Sequence, residues 1–194
     1  MRIGLVTDTH LPALFRQLDG LGPECSEFLA GVDLILHGGD VTAPSVLDWL
    51  AQFAPVVAAQ GNNDDFRDPR LRKVQYLELE GWRIGMAHDL TPETQPLPAI
   101  HYKRFDRPLD IMIGGHTHLE RLRHEHGMLL VNSGSPILPH QKETRLGTAA
   151  LLELTPESVR AEIIVLGETP GRPNPGRASL LDLQRGAFHD HGGQ

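Results

Sequence analysis

Cysteine is almost missing: Cys25 is the only one in 194 residues. No internal disulfide can form, so a reducing, cytoplasmic setting is expected. Aromatic residues are few, at 5 %. No run approaches the roughly 20 apolar residues of a spanning helix. The opening MRIGLVTDTH runs straight into a strand pattern, without the long apolar region or cleavage site of a signal peptide. No membrane partner is expected. Positive charge is also short: 18 Lys and Arg stand against 25 Asp and Glu, a net charge of -7. That excludes broad electrostatic binding to nucleic acid or anionic lipid, while leaving room for a local basic patch. The chain has no G-x-S-x-G elbow, no P-loop and no dinucleotide glycine fingerprint, which removes three large enzyme classes. Internal repeats are absent as well.

What is present is a core's worth of hydrophobic residues, 40 % of the chain, in short runs. RIGLVTD, DLILHGGD and PVVAAQGNND read as strands. PECSEFLAG between them fits a helix closed by Gly31. TAPSVLDWLAQF fits a second helix, with Thr42 as its N-cap and Val46, Leu47, Leu50 and Phe53 on one face. Strands alternating with helices imply a parallel sheet. KVQYLELEGWRIGMAHD then reads as a hairpin turning at Glu80-Gly81, and DIMIGGHTH, HGMLLVNSGSP, GTAALLELT and VRAEIIVL as further strands, the last two joined at TPES. The fold class is α/β: two mixed sheets flanked by helices use all these elements. Residues 90–109 carry four prolines and yield no element. The expected domain is 1–167. Residues 168–194 form a tail that begins Pro/Gly-rich, with a short helix or no regular structure in ASLLDLQRGAF.

The strand ends carry the chemistry. They finish on Asp8-Thr9-His10, Gly38-Gly39-Asp40, Gly61-Asn62-Asn63-Asp64, His88-Asp89 and Gly114-Gly115-His116-Thr117-His118. In open α/β sheets ligands bind beyond the carboxyl ends of strands. Residues i and i+2 share a face, so Asp-x-His and His-x-His each aim two donors at one place. Seven donors result: Asp8, His10, Asp40, Asn62, His88, His116 and His118. One tetrahedral zinc takes four. Seven suit two divalent ions about 4 Å apart that share a carboxylate and a water. Carboxylate, amide and imidazole without thiolate favour Mn²⁺, Fe or Zn²⁺, with Mn²⁺ first and Ni²⁺ also compatible.

DTH, GGD, GNND, a strand-terminal His and GGHTH, in this order and followed by NSGSP, resemble the calcineurin-like metallophosphoesterases, and among them the small YfcE-type phosphodiesterases. The motifs span residues 6–136. The resemblance implies a four-layer α/β/β/α sandwich and a dinuclear centre. One metal would be held by Asp8, His10, Asp40 and His118. The other would be held by Asp40, Asn62, His88 and His116, with Asp40 bridging. Asp40, Asn62 and His88 would stand closest to catalysis, a shared hydroxide attacking phosphorus in line on a small phosphate ester. Larger members place a His where this chain has Asn63, and an amide cannot protonate a leaving group. A preference for good leaving groups is therefore expected. Asp89 stands where the family has Gly, adding charge and bulk beside His88.

Other residues read more plainly. His37 is expected to be structural or to back the ligands. His101 is expected to be a solvated loop residue, with substrate contact or acid catalysis as the alternative. Arg67, Arg70, Arg72 and Lys73 read as a solvated face before a guide for anionic substrate. His124, His126, His140, His189 and His191 read as surface, and HDHGGQ as an adventitious metal binder. The alternatives to a phosphodiesterase are a phosphomonoesterase or nucleotide phosphatase, or a non-catalytic interaction scaffold of the same fold. Self-association, for instance through residues 178–188, is left open.

Overall fold

The computed structural model describes residues 1–11, 21–141 and 143–188. The first half runs β1 (Arg2–Val6), α1 (Gly22–Leu29), β2 (Leu34–His37), α2 (Pro44–Leu50), β3 (Val56–Ala59), β4 (Leu71–Arg72), β5 (Val74–Leu79) and β6 (Trp82–Ala87). The second runs α3 (Leu97–Arg104), β7 (Ile111–Gly114), β8 (Glu120–Glu125), β9 (Met128–Ser133), β10 (Thr148–Leu154), β11 (Ser158–Val165) and β12 (Ser179–Gln184). One sheet has seven strands in the order β12-β11-β10-β1-β2-β3-β4, the other five in the order β5-β6-β7-β9-β8. β1 to β4 are mutually parallel, and so are β6, β7 and β9.

Period-two alternation decides the layers. Ile3, Leu5, Leu34 and Leu36 point inward from the first sheet and meet Trp82, Ile84, Ile111, Ile113 and Val131 of the second. The opposite faces turn to helices: Val6, Ile35 and Ala58 pack on Cys25, Leu29, Val46, Leu47 and Leu50. On the far side Met112 and Leu130 pack on Leu97 and Ile100 of α3. Helices, sheet, sheet, helix: the four-layer arrangement is the one expected. Each fully buried Leu or Ile contributes about 1.5–3 kcal/mol, and such residues make up more than half of the central cluster.

Local details differ from the expectations in four places. Thr42 does not cap α2; the cap position is Ala43, and Pro44 opens the helix. Thr42 has φ +70, donates its N–H to Asp64 at 2.7 Å and its hydroxyl to the Leu11 carbonyl. Residues 90–109 contain α3, because Pro96 and Pro98 fall at its N-terminus, where proline costs nothing. ERLRHE forms the edge strand β8, its charges suited to an edge. Residues 179–184 form a strand, not a helix. Leu181 and Leu183 alternate inward against the central cluster, and all of β12 pairs with β11. Among the described residues a single 3₁₀ turn follows, Arg185–Phe188, and Phe188 packs on Trp82 at 4.7 Å between ring centroids. The HDH motif and its two histidines lie outside the described residues.

The hairpin at Glu80-Gly81 is as expected, with φ +51 and +76 at the two turn residues and Leu79 paired to Trp82. Thr155 and Ser158 close the β10–β11 hairpin through a 3.0 Å backbone bond.

Candidate metal centre

Five parallel strands, β1, β2 and β3 from one sheet and β6 and β7 from the other, end on the same edge of the sandwich. The turns beyond them bring all seven predicted donors together. Two groups place their donor atoms within 4.8 Å of one another: Asp8 with His10 and His118, and Asp8 with Asp40 and His88. Asp40 Oδ2 lies 3.5 Å from both His10 Nε2 and His88 Nε2. Asp8 Oδ1 lies 3.4 Å from His118 Nε2 and 3.9 Å from His88 Nε2. Both carboxylates thus stand between the two halves, Asp8 common to both groups and Asp40 equidistant from two imidazoles. Asn62 Oδ1 joins the rest, 3.2 Å from His88 Nε2 and 3.0 Å from His116 Nδ1.

The backbone is bent to achieve this. Asp8, His10, Asp40, His116 and His118 all have positive φ, between +49 and +68. Such conformations cost on the order of 1–3 kcal/mol each and are held only by surrounding structure. Here the surroundings are specific. The Asp8 carboxylate accepts from Thr7 Oγ1 and the His116 amide, both at 2.9 Å. Its carbonyl accepts from Ser135 Oγ at 2.8 Å. Gly61 must be glycine, since a Cβ there would collide with the Asp40 carboxylate.

The imidazoles are oriented from behind. His88 Nδ1 donates to the Gly38 carbonyl at 2.9 Å and His118 Nδ1 to that of Leu138 at 2.8 Å. Their Nε2 lone pairs are thereby turned toward the carboxylates, the arrangement that metal-ligating histidines need. His10 Nε2 and His118 Nε2 face each other at 3.2 Å. The donor set therefore fits divalent cations: inward lone pairs, two buried carboxylates and one amide oxygen.

The charges tell the same story for the metal-free protein. Burial lifts the Asp8 carboxyl to about 7, against the pull of His88. Burial would also raise Asp40, but hydrogen bonding and charge from His88, with the Asn63 donors, hold it well below the usual range. His88 is disfavoured as a cation by burial, yet Asp40 and Asp8 raise it to about 9. Burial drives His118 down to about 4. Two carboxylates are buried together here, with His88 pushed toward its charged form and His10 and His118 pushed away from theirs, and a bound cation would relieve the crowding of the carboxylates.

Several supporting residues were not singled out from sequence. Asp64, the last residue of GNND, accepts from the amides of Asp40 at 3.0 Å, Gly61 at 2.7 Å and Thr42 at 2.7 Å. It ties the second motif to the third, and its place inside the motif was the available signal. Asn132, in NSGSP, donates to the Gly115 carbonyl at 2.9 Å, Thr117 Oγ1 at 3.1 Å and Glu93 at 2.7 Å. It pins the GGHTH turn. No local pattern marks Glu93.

The remaining expectations resolve by position. His37 is fully buried and accepts from the Gly39 amide at 3.1 Å on Nδ1, so its Nε2 faces Thr9 Oγ1 at 3.2 Å. It backs the Asp8 and Asp40 turns, as expected. Asp89 turns away from His88: its carboxylate takes Thr91 N at 2.8 Å, Thr91 Oγ1 at 2.6 Å and Arg104 Nη2 at 2.9 Å. The added charge is thus neutralised, and the His88 ring stands among the other donors. His101, expected in a solvated loop, lies instead in α3, where it is half-buried; it bonds the Arg107 carbonyl at 2.6 Å and lines a separate cleft of about 930 Å³ that holds none of the seven donors. Asn63 donates its backbone and side-chain N–H groups to Asp40 at 2.9 and 2.6 Å. Arg70 is taken up by Asp48 and Asp68.

Comparison with known proteins agrees with the geometry. A probable metallophosphoesterase of Methanothermobacter thermautotrophicus is 32 % identical over 168 residues, covering 86 % of this chain and 94 % of that protein. Another from Methanocaldococcus jannaschii is 34 % identical over 140 residues, 72 % of this chain and 70 % of that one. Among solved structures, a single mutant of Vps29 from Entamoeba histolytica superposes with a TM-score of 0.72 at 20 % identity, covering 95 % of this chain and 99 % of that chain. A predicted phosphoesterase from Streptococcus pneumoniae gives 0.64 at 20 %, covering 94 % and 97 %. These two likenesses establish the fold. The description "Calcineurin-like phosphoesterase superfamily domain" matches residues 1–157, which include every strand end that carries a donor, and it is to this superfamily that the chain belongs.

Proposed function

We propose that the chain is a metal-dependent phosphodiesterase acting on small phosphate esters in the cytoplasm. The observation that carries this reading is the convergence of seven donors from five strand ends, two of them buried carboxylates. Asp8, His10, Asp40 and His118 would hold one divalent ion; Asp40, Asn62, His88 and His116 would hold a second, Mn²⁺ being the first candidate. When bound, such a pair supplies Lewis acidity, neutralising phosphoryl oxygens and acidifying water.

The chain's own residues do the rest. Gly38, Leu138 and Asp64 hold His88, His118 and Asp40 in place. Asn63 spends its N–H groups on Asp40 and has no proton to give a departing oxygen. Leaving groups must then depart as anions, which favours acidic ones. A diester suits the site because recesses open on both sides of the donors.

The test is a titration. Chelator-stripped protein is given Mn²⁺ while bis-p-nitrophenyl phosphate hydrolysis is followed, alongside Asp40→Ala. Activity should plateau near two ions per chain and vanish in the variant. A series of aryl and alkyl esters should then slow steeply as leaving-group pKa rises, and diesters should outrun matched monoesters. Monoester preference would move the chain to the phosphomonoesterases. Ion binding without any hydrolysis would favour a scaffold of this fold.

A further inference from the structure

The two recesses beside the donors are unequal. The smaller, about 250 Å³, is walled by Leu138 and Gln141 beyond His10 and His118. The larger, about 890 Å³, opens beyond His88. Asn62 and His116 line both. A diester held at the donors would send one arm into each.

The wall of the larger recess carries Lys73, Lys103 and Arg104. Lys73 joins β4 to β5, while Lys103 and Arg104 close α3. The chain has only three lysines, and two stand here; the third, Lys142, lies outside the described residues. Both are exposed, and among the described residues neither is in an ion pair, whereas nearby Arg70 has two partners. Among the described residues Arg104 bonds through Nη2, to Asp89 at 2.9 Å and the Thr91 carbonyl at 3.4 Å, and its buried Nε has no partner. The carboxylates of the same wall are already engaged: Asp64 by three amides, Asp89 by Thr91 and Arg104. Asp65 alone is exposed on the rim.

Unpaired surface lysines usually serve solubility, and each is worth little alone. Placement distinguishes these two. An acidic chain whose arginines mostly have carboxylate partners leaves its described lysines free at the recess bordered by His88. Ammonium and guanidinium groups bind phosphate and carboxylate as point charges and forks.

We propose that this recess seats one ester arm of the substrate, and that Lys73, Lys103 and Arg104 select an arm bearing a second anionic group, a phosphate or a carboxylate. The proposal rests on the phosphodiesterase reading above and names its substrate class.

The experiment uses thymidine 5′-(p-nitrophenyl phosphate) and the same ester with a 3′-phosphate or a 3′-O-carboxymethyl group. The leaving group is constant throughout. The wild type should prefer at least one anionic ester by about tenfold in kcat/KM, equivalent to about 1.4 kcal/mol. Which one it prefers identifies the anion. Lys73→Gln/Lys103→Gln should bring that ratio to about one, and Arg160→Gln, on β11, should leave it intact. The preference should shrink as salt rises from about 0.05 to 0.5 M. Equal turnover of the three esters by the wild type, or a preference that survives in the double variant, overturns the proposal. Calorimetry keeps the two readings apart. Mn²⁺-loaded protein should bind thymidine 3′,5′-bisphosphate about tenfold tighter than thymidine 5′-phosphate, or show that margin for the 3′-O-carboxymethyl 5′-phosphate. If no ester turns over but this margin appears and is lost in the double variant, the phosphodiesterase reading fails and the anion site stands. No margin for either ligand overturns the site.

Discussion

His37 illustrates how a single residue supports the centre without belonging to it. It is fully buried, and its ring is held between Gly39 and Thr9. Burial, with the nearby His88 charge, pushes its pKa from 6.5 down to about 3, against a weaker pull from Asp40. A histidine depressed in the folded state binds fewer protons there than in the unfolded chain. Stability is therefore full above the unfolded value and is lost as pH falls from about 6.5 toward 3. The loss is at most about 1.4 kcal/mol per pH unit inside that window. In chelator-treated protein, denaturant unfolding at pH 7 and 5 should show a smaller drop for His37→Gln than for the wild type. Equal drops would mean that the ring is charged in the native state. Six of the seven donors were legible in sequence because each sits at a strand end within one or two residues of glycine or another donor, and His88 because it ends a strand. Asp64 and Asn132 were harder, since their partners lie far along the chain or are backbone amides that no composition marks.

At the scale of elements, the misreadings share a cause. Sequence patterns report burial on one face; the two-residue β4 is too short to show one, and three longer elements escaped because their surroundings are unusual. α3 starts among prolines, β8 is an edge strand of mostly charged residues, and β12 has only Leu181 and Leu183 facing inward. β12 and the turn after it nonetheless close the sandwich. Trp82, fully buried, bonds the Thr155 carbonyl through Nε1 at 2.7 Å and receives Phe188 on its ring. Arg185 lies over the same ring at 3.8 Å. Phe188→Ala should cost about 2–4 kcal/mol, near the range for large-to-small changes at a buried aromatic. Ending the chain after Leu166 should lower the melting temperature further. It would also bare β11 as a long edge, and exposed edges invite pairing between molecules. The truncated chain should elute from a sizing column as a larger species than the full chain. Unchanged stability and size would show that the strand is a passive attachment.

For the whole molecule, the order and number of strand and helix patterns were enough to foresee two sheets flanked by helices. The order of strands was not, because parallel partners such as β7 and β9 are chosen by packing rather than by neighbouring sequence. The carboxyl ends of the parallel strands of both sheets lie on one edge, with the donors at their meeting line. The two flanks of the centre are dissimilar, one narrow and partly apolar, the other wide and lined with cations. A tetrahedral phosphorus with two different arms is prochiral, and unequal flanks fix which arm goes where. The two non-bridging oxygens then meet different neighbours. Replacing one or the other by sulfur gives a pair of mirror-related centres at phosphorus, and the protein should tell them apart. One phosphorothioate isomer of thymidine 5′-(p-nitrophenyl phosphate) should be hydrolysed well ahead of the other, whereas equal rates would mean that the substrate enters in both orientations.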